Sequence, residues 1–306
     1  MLPVRIVSMK YLPLILLFAS CNALTLLTNK TGSSAGGFNS ELGDDNNSNA
    51  LICPAGYAKV KGNSIFGTND FCVMKFEAKD VGGIAKSQEN LTPWISGIDL
   101  STAKNNCLAL GSGYDLISNP EWMTIAAEIE LNSSNWFGGI VGSGCIFRGN
   151  TGESTSPTTC GYSSGAIEFG SISARDSRAG LFLGNGDRVW DMSGNVQEWV
   201  DWTVGGPADL GPTDALAGCS GIDIELPSIS GNNDCPSLVN ADYLPRDPTL
   251  NSSLGVGKFF GGTGGAIIRG GTYLNTNTAG IYRLTTNALP SATGAFGFRC
   301  VYRGSP

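Results

Sequence analysis

Residues 189–202, VWDMSGNVQEWVDW, put three tryptophans, three acids and a Ser-Gly-Asn turn into fourteen positions. That density constrains the fold more than any other stretch. Large aromatics must be buried, whereas a Ser-Gly-Asn sequence favours a tight turn. The aromatics therefore wall a turn whose carbonyls and carboxylates converge on one spot. Several oxygens directed at one point suit a hard cation such as calcium.

The chain has 306 residues, of which 41% are apolar and only 15% charged, with 43 glycines. Such a composition supports a real core within a loop-rich fold and argues against a helical bundle. A net charge of −7 disfavours nucleic acid, which needs a basic face. There is no histidine. The commonest general base and every Ser-His or Cys-His nucleophile are thereby excluded.

Residues 1–20 read as a lipoprotein signal peptide. Arg5 and Lys10 precede the apolar run YLPLILLFA at 11–19, which is too short to span a bilayer. Phe18-Ala19-Ser20-Cys21 then resembles a lipobox, with Cys21 as the lipidated residue. The alternative is cleavage near Ser20, which gives a periplasmic or secreted protein. Residues 21–50, rich in Asn, Gly, Ser, Thr and Asp, read as a disordered tether.

Setting Cys21 aside leaves eight cysteines, an even number that reads as four disulfides in an exported chain. Spacing pairs Cys53 with Cys72, Cys145 with Cys160 and Cys219 with Cys235, leaving Cys107 with Cys300. Zinc is disfavoured because there is no CxxC pair.

The folded domain is expected over 51–306. Residues 70–78 (DFCVMKFEA) alternate as a strand, with Phe71, Val73, Lys75 and Glu77 on one face. Asp99-Leu100-Ser101 opens a helix that carries Cys107. A second helix starts at Ser118, with Pro120 in its first turn and Glu121 completing a capping box; Trp122, Ile125, Ala126 and Ile129 form its stripe. Residues 133–188 and 205–266 are irregular. Strands are predicted at 266–269, 281–286 and 296–302. Asp80, Glu89 and Asp99 have no partner visible in the sequence, and Asp223 and Glu225, in the Cys219 to Cys235 loop, read as solvated. Gly261-Gly262-Thr263-Gly264-Gly265 lacks the lysine of a phosphate loop.

Four landmarks then fall in one order. They are the strand at 71–77, the helix DLISNPEWMTIA at 115–126, the DMSGNVQEW segment at 191–199, and RGGTY at 269–273 followed by GFRCV at 297–301. This pattern resembles the formylglycine-generating-enzyme, or sulfatase-modifying-factor, family and covers roughly residues 53–303. The resemblance implies an α+β fold, the family's variant of the C-type-lectin fold. That fold has two helices, a small mixed sheet and much irregular chain, here stapled by disulfides. The Cys107 to Cys300 bridge matches the family's link from helix to last strand. The arginines of RGG and GFR are expected to pair with buried carboxylates.

Family enzymes oxidise a substrate cysteine with two cysteines and copper(I), which soft thiolates hold. The matching positions here are Asn275 and Gly280, so copper is not expected and oxidase activity is expected to be absent. By the same resemblance a structural calcium is implied at Asp191, the carbonyls of Gly194 and Val196, and Glu198. Gln197 stands where the family has tryptophan.

The functional expectation is a non-enzymatic lipoprotein on a bacterial outer membrane or cell surface. It would meet the membrane through its lipid anchor only and bind a protein or glycan partner. Tyr273, Asn275, Asn277 and Arg283 are the candidate binding surface. The alternative is an enzyme of unfamiliar type that uses the same cleft.

Overall fold

The computed structural model describes residues 51–154, 156–202, 224–226, 244–261, 266–288, 291 and 294–305. The chain divides between Ser48 and Asn49, and all described residues belong to the second unit. The expected signal peptide, tether, Cys21 and the Cys219 to Cys235 bridge lie outside them.

In chain order the strands are β1 Tyr57–Val60, β2 Phe71–Met74, β3 Lys79–Asp80, β4 Ala85–Lys86, β5 Tyr114–Leu116, β6 Gly149–Asn150, β7 Gly161–Tyr162, β8 Gly180–Phe182 and β9 Arg188–Trp190. They continue with β10 Gln197–Trp199, β11 Ile224–Glu225, β12 Lys258–Phe260, β13 Ala266–Arg269, β14 Leu284–Ala288, β15 Phe296–Phe298 and β16 Cys300–Tyr302. Two α-helices stand among them, α1 Leu100–Leu108 and α2 Asn119–Leu131.

The local chemistry explains both helices. Asp99 caps α1 by accepting from the Thr102 amide at 2.7 Å. In α2 the Ser118 hydroxyl accepts from the Glu121 amide, and the Glu121 carboxylate accepts from the Ser118 amide at 2.8 Å. This reciprocal cap satisfies two otherwise orphaned donors. The predicted one-sided stripe of α2 understates its burial, since ten of its thirteen residues are inside. Even Glu130 is buried, accepting from the Tyr282 hydroxyl and from the Arg246 and Asp247 amides.

Two sheets organise the domain. One is antiparallel, with order β1-β2-β16-β5; the other is mixed, with order β11-β12-β14-β13-β10-β15. The described fold thus has several small sheets where a single one was expected. Strand β2 is buried on both faces. Phe71 and Val73 join one core cluster with Val301, Trp122 and Ile125, while Cys72 and Met74 join another with Leu116, Trp199 and Phe298.

The predicted strand at 296–302 is broken. β15 pairs parallel with β10, whereas β16 pairs antiparallel with β2 and β5. Arg299 is the residue between them, and its guanidinium turns inward. The strand predicted from 281 starts at Leu284 instead. Residues 280–283 form a turn closed by the Arg283 amide donating to the Gly280 carbonyl at 2.9 Å.

Three predicted disulfides are formed. Cys53–Cys72 ties the chain entry to β2, Cys107–Cys300 ties α1 to β16, and Cys145–Cys160 closes part of the irregular region.

Candidate functional site

The Ser-Gly-Asn turn lies between β9 and β10. Three of its residues take left-handed backbone: Asp191 at φ 60°, Gly194 at φ 77° and Asn195 at φ 56°. Asp, Asn and Gly are the residues that tolerate this region. At Gly194 a side chain would also collide with the carbonyl of Asn150. The turn is therefore pressed against the 148–152 loop.

Asn195 has no exposed surface and joins four segments. Its side-chain amide donates to both Glu77 oxygens at 3.0 Å and to the Glu168 carbonyl at 3.1 Å, and its Oδ1 accepts from the Glu168 amide at 2.6 Å. Its backbone amide donates to the Asn150 carbonyl at 2.7 Å, and its carbonyl accepts from the Tyr273 amide at 3.0 Å.

Beneath the turn lies a buried cluster of charges. Glu198 is held bidentately by Arg299, with Nε to Oε2 at 2.7 Å and Nη2 to Oε1. Arg299 also donates to the Met74 carbonyl at 3.1 Å and the Trp190 carbonyl at 3.0 Å. Asp191 pairs with Arg175. Glu77 pairs with Lys79 at 3.2 Å and accepts from the Val196 amide at 3.3 Å. All six side chains are 3% exposed or less. Three acids thus face three bases away from water, as burial of charge requires. Two expected tryptophans frame the cluster. Trp190 stacks on Phe76 and under the Arg175 guanidinium; Trp199 donates to the Ile98 carbonyl and meets Phe296 edge-on.

Burial raises the Glu77 carboxyl to about 8, and the nearby Asp191 charge adds to the shift; Lys79 offsets only part of it. Burial also raises Glu198, against the pull of Arg299. Burial by itself would lower the two guanidiniums, but Glu198 beside Arg299 and Asp191 beside Arg175 leave both raised.

The donor set proposed for calcium does not fit that ion as placed. Both Glu198 oxygens are taken by Arg299, and one Asp191 oxygen is taken by Arg175. A dication there would face two guanidiniums and an ammonium at short range in low dielectric. Among the described residues no group of three Cys, Asp or Glu side chains is arranged to hold a metal.

The predicted surface residues divide. Asn277 is exposed, and Tyr273 and Asn275 are half-buried. Asn275 Oδ1 accepts from the Thr272 amide at 2.7 Å and hydroxyl at 3.1 Å. Arg283 is a correction. It is 5% exposed, lying beneath the loop and donating to the Thr278 carbonyl at 2.9 Å. Leu274, which sequence reasoning passed over, is 70% exposed at the loop's tip. At Gly280, a Cβ would collide with the Val256 and Gly257 backbone. Arg269 donates to Asn119 Oδ1 and to the Tyr282 carbonyl. Glu225, expected to be solvated, instead accepts from the Ser252 hydroxyl at 2.6 Å and pairs with Lys258 at 3.3 Å.

Sequence reasoning missed Lys79, Arg175 and Asn195 and gave Glu77 no role. Glu77 and Lys79 stand in a segment that also carries Asp70, Lys75 and Asp80, so residue order alone did not single them out.

Fold and site together define a disulfide-stapled α+β domain with two helices, several small sheets and a buried ionic centre. No family model and no curated protein matches the chain. Solved structures give loose likenesses. Variable protein 1 of Treponema denticola is 11% identical over 81% of this chain and 92% of its own, with a TM-score of 0.36. The Major Tropism Determinant U1 variant is 14% identical over 83% of this chain and 54% of its own, with a TM-score of 0.39. PvdO from Pseudomonas aeruginosa is 16% identical over 82% of this chain and 92% of its own, with a TM-score of 0.35. At such overlaps the likeness says nothing of what this chain binds or does.

Proposed function

We propose that this chain is a divergent, non-oxidase relative of the formylglycine-generating-enzyme family, built on that family's variant of the C-type-lectin fold. It serves as the binding module of a lipid-anchored envelope protein, with Cys21 as the anchor and a protein or surface glycan as partner. The observation that carries this reading is the state of the two positions where the resemblance would put thiols. Asn275 is engaged by Thr272, and Gly280 has no room for a side chain. The same loop is fixed at both ends, by Tyr273 to Asn195 and by the Thr276 amide to the Thr151 carbonyl at 2.7 Å. It displays Leu274 and Asn277 to solvent. A rigid loop with one apolar tip flanked by amides and hydroxyls is a contact surface with little ordering cost.

The test has two arms. Full-length protein is incubated with a cysteine-containing peptide, oxygen and copper(I), and the peptide is weighed by mass spectrometry. No loss of the thiol to an aldehyde is expected; copper-dependent conversion would overturn the reading. In parallel, Leu274→Asp and Asn277→Ala are compared with wild type in capture from envelope extract and on a glycan array. Both variants are expected to lose the partner that wild type retains, and unchanged capture counts against this loop.

A further inference from the structure

We infer that Lys79, Arg175 and Arg299 act as built-in counter-ions that replace a metal beneath the 191–198 turn, so that the turn is held without calcium. Three independent contacts converge on this. Arg299 spends its fork on both oxygens of Glu198, so that a positive charge already faces each oxygen of that carboxylate. Arg175 reaches Asp191 from another loop while packed on the Trp190 ring at 5.3 Å. Its position is set by a third partner, Glu168, at 3.5 Å. Lys79 enters from β3 onto Glu77, whose carboxylate also accepts from Asn195 and Val196.

Charge arithmetic explains why this arrangement suffices. Carboxylates packed together away from water repel unless a cation lies between them. A calcium would supply two positive charges and demand six or more oxygens. The three side-chain cations supply three charges and offer hydrogen-bond donors that satisfy the same oxygens directionally. With Glu77, Asp191 and Glu198 ionised, the three pairs balance with no bound ion, and Glu168 adds a carboxylate at the more exposed edge of the cluster. The cluster's orphan atoms are Asp191 Oδ2, the Arg175 Nε and the nearby Ser193 hydroxyl. Even with the Gly194 and Val196 carbonyls added, the free carboxylate oxygen and the hydroxyl bring the count to four oxygens, below the six or more that calcium takes.

This inference is independent of what the displayed loop binds. The experiment uses the full chain with calcium chloride and EGTA as probes. Wild type, passed through a calcium-free desalting column, is expected to carry no stoichiometric calcium by elemental mass spectrometry. Its melting temperature should be the same in EGTA and in millimolar calcium chloride. Calcium at a hundred times its dissociation constant would raise the melting temperature by roughly 5 to 10 °C; such a rise in wild type, or one calcium retained per chain, would overturn the inference. Arg175→Gln, which frees Asp191 while keeping a donor, is expected to melt lower and to gain a calcium-dependent rise. An Arg175→Gln protein that folds and stays indifferent to calcium speaks against replacement. If that variant does not fold, the wild-type measurements alone decide.

Discussion

Arg299 grips both oxygens of Glu198 from the point where one extended segment breaks into two strands, each belonging to a different sheet. The ion pair thus sits at the seam between the sheets, and the inward turn of one side chain accompanies the change of sheet. Removing one partner of a buried pair strands the other charge. Arg299→Met is expected to cost about 3 to 5 kcal/mol, read as a shift of the urea midpoint at constant slope. Arg299→Lys should recover little of it, because an ammonium cannot reproduce the fork. A lysine variant close to wild type would refute the pairing as drawn.

The pH dependence follows from Glu77. Its folded carboxyl titrates at about 8, above an unfolded value of roughly 4.3. Between these values the folded state holds a proton that the unfolded state has released, so stability falls as pH rises through that window. Glu198 is shifted in the same direction. Asp70, Asp99, Asp176 and Asp187 are lowered, so their contribution is lost only in stronger acid. Thermal melts are therefore expected to peak at mildly acidic pH and to decline toward pH 8. Glu77→Gln should flatten that decline, and an equally steep profile in the variant would assign the slope to another group.

Gly280 tests the closure of the position where the resemblance would put a thiol. Its missing Cβ is what lets residues 279–280 lie against the Val256 and Gly257 backbone. Gly280→Ala is expected to destabilise by about 1 to 3 kcal/mol through overpacking, measured by chemical denaturation. A neutral substitution would mean that the strand approach can relax.

Asn195 links the ionic centre to the displayed loop through its side chain on Glu77 and its carbonyl on Tyr273. Asn195→Ala removes buried hydrogen bonds and places a less tolerant residue at φ 56°, at a cost of about 2 to 4 kcal/mol. Hydrogen exchange should then quicken at the Tyr273 and Thr276 amides more than in α2. Uniform acceleration would show a global effect instead.

Much of the local structure was legible in the sequence. The Ser118–Glu121 box and the helix opening at Asp99-Leu100-Ser101 depend on neighbours within three residues, and the strand from Phe71 shows as local alternation, although the cap that Asp99 makes was not foreseen. The three bridges formed among described residues follow from loop spacing plus what remained. The 296–302 segment was misread because its alternation continues through Arg299, and nothing local records a change of partner strand. Arg283 was placed on the candidate surface by the cleft that the resemblance implies; here the 276–278 turn folds over it, and nothing within a few residues records that cover.

The sequence by itself determined where the helices begin, which short segments extend, and that the Ser-Gly-Asn turn must be walled by aromatics. Only the tertiary structure decided which cations meet which acids. Glu198 and Arg299 are 101 positions apart, and Asn195 and Glu77 are 118 apart. The energy of a charge depends on its distance to its partner and on the water excluded around it. Both are set by packing of remote segments, to which residue order along the chain gives no direct access.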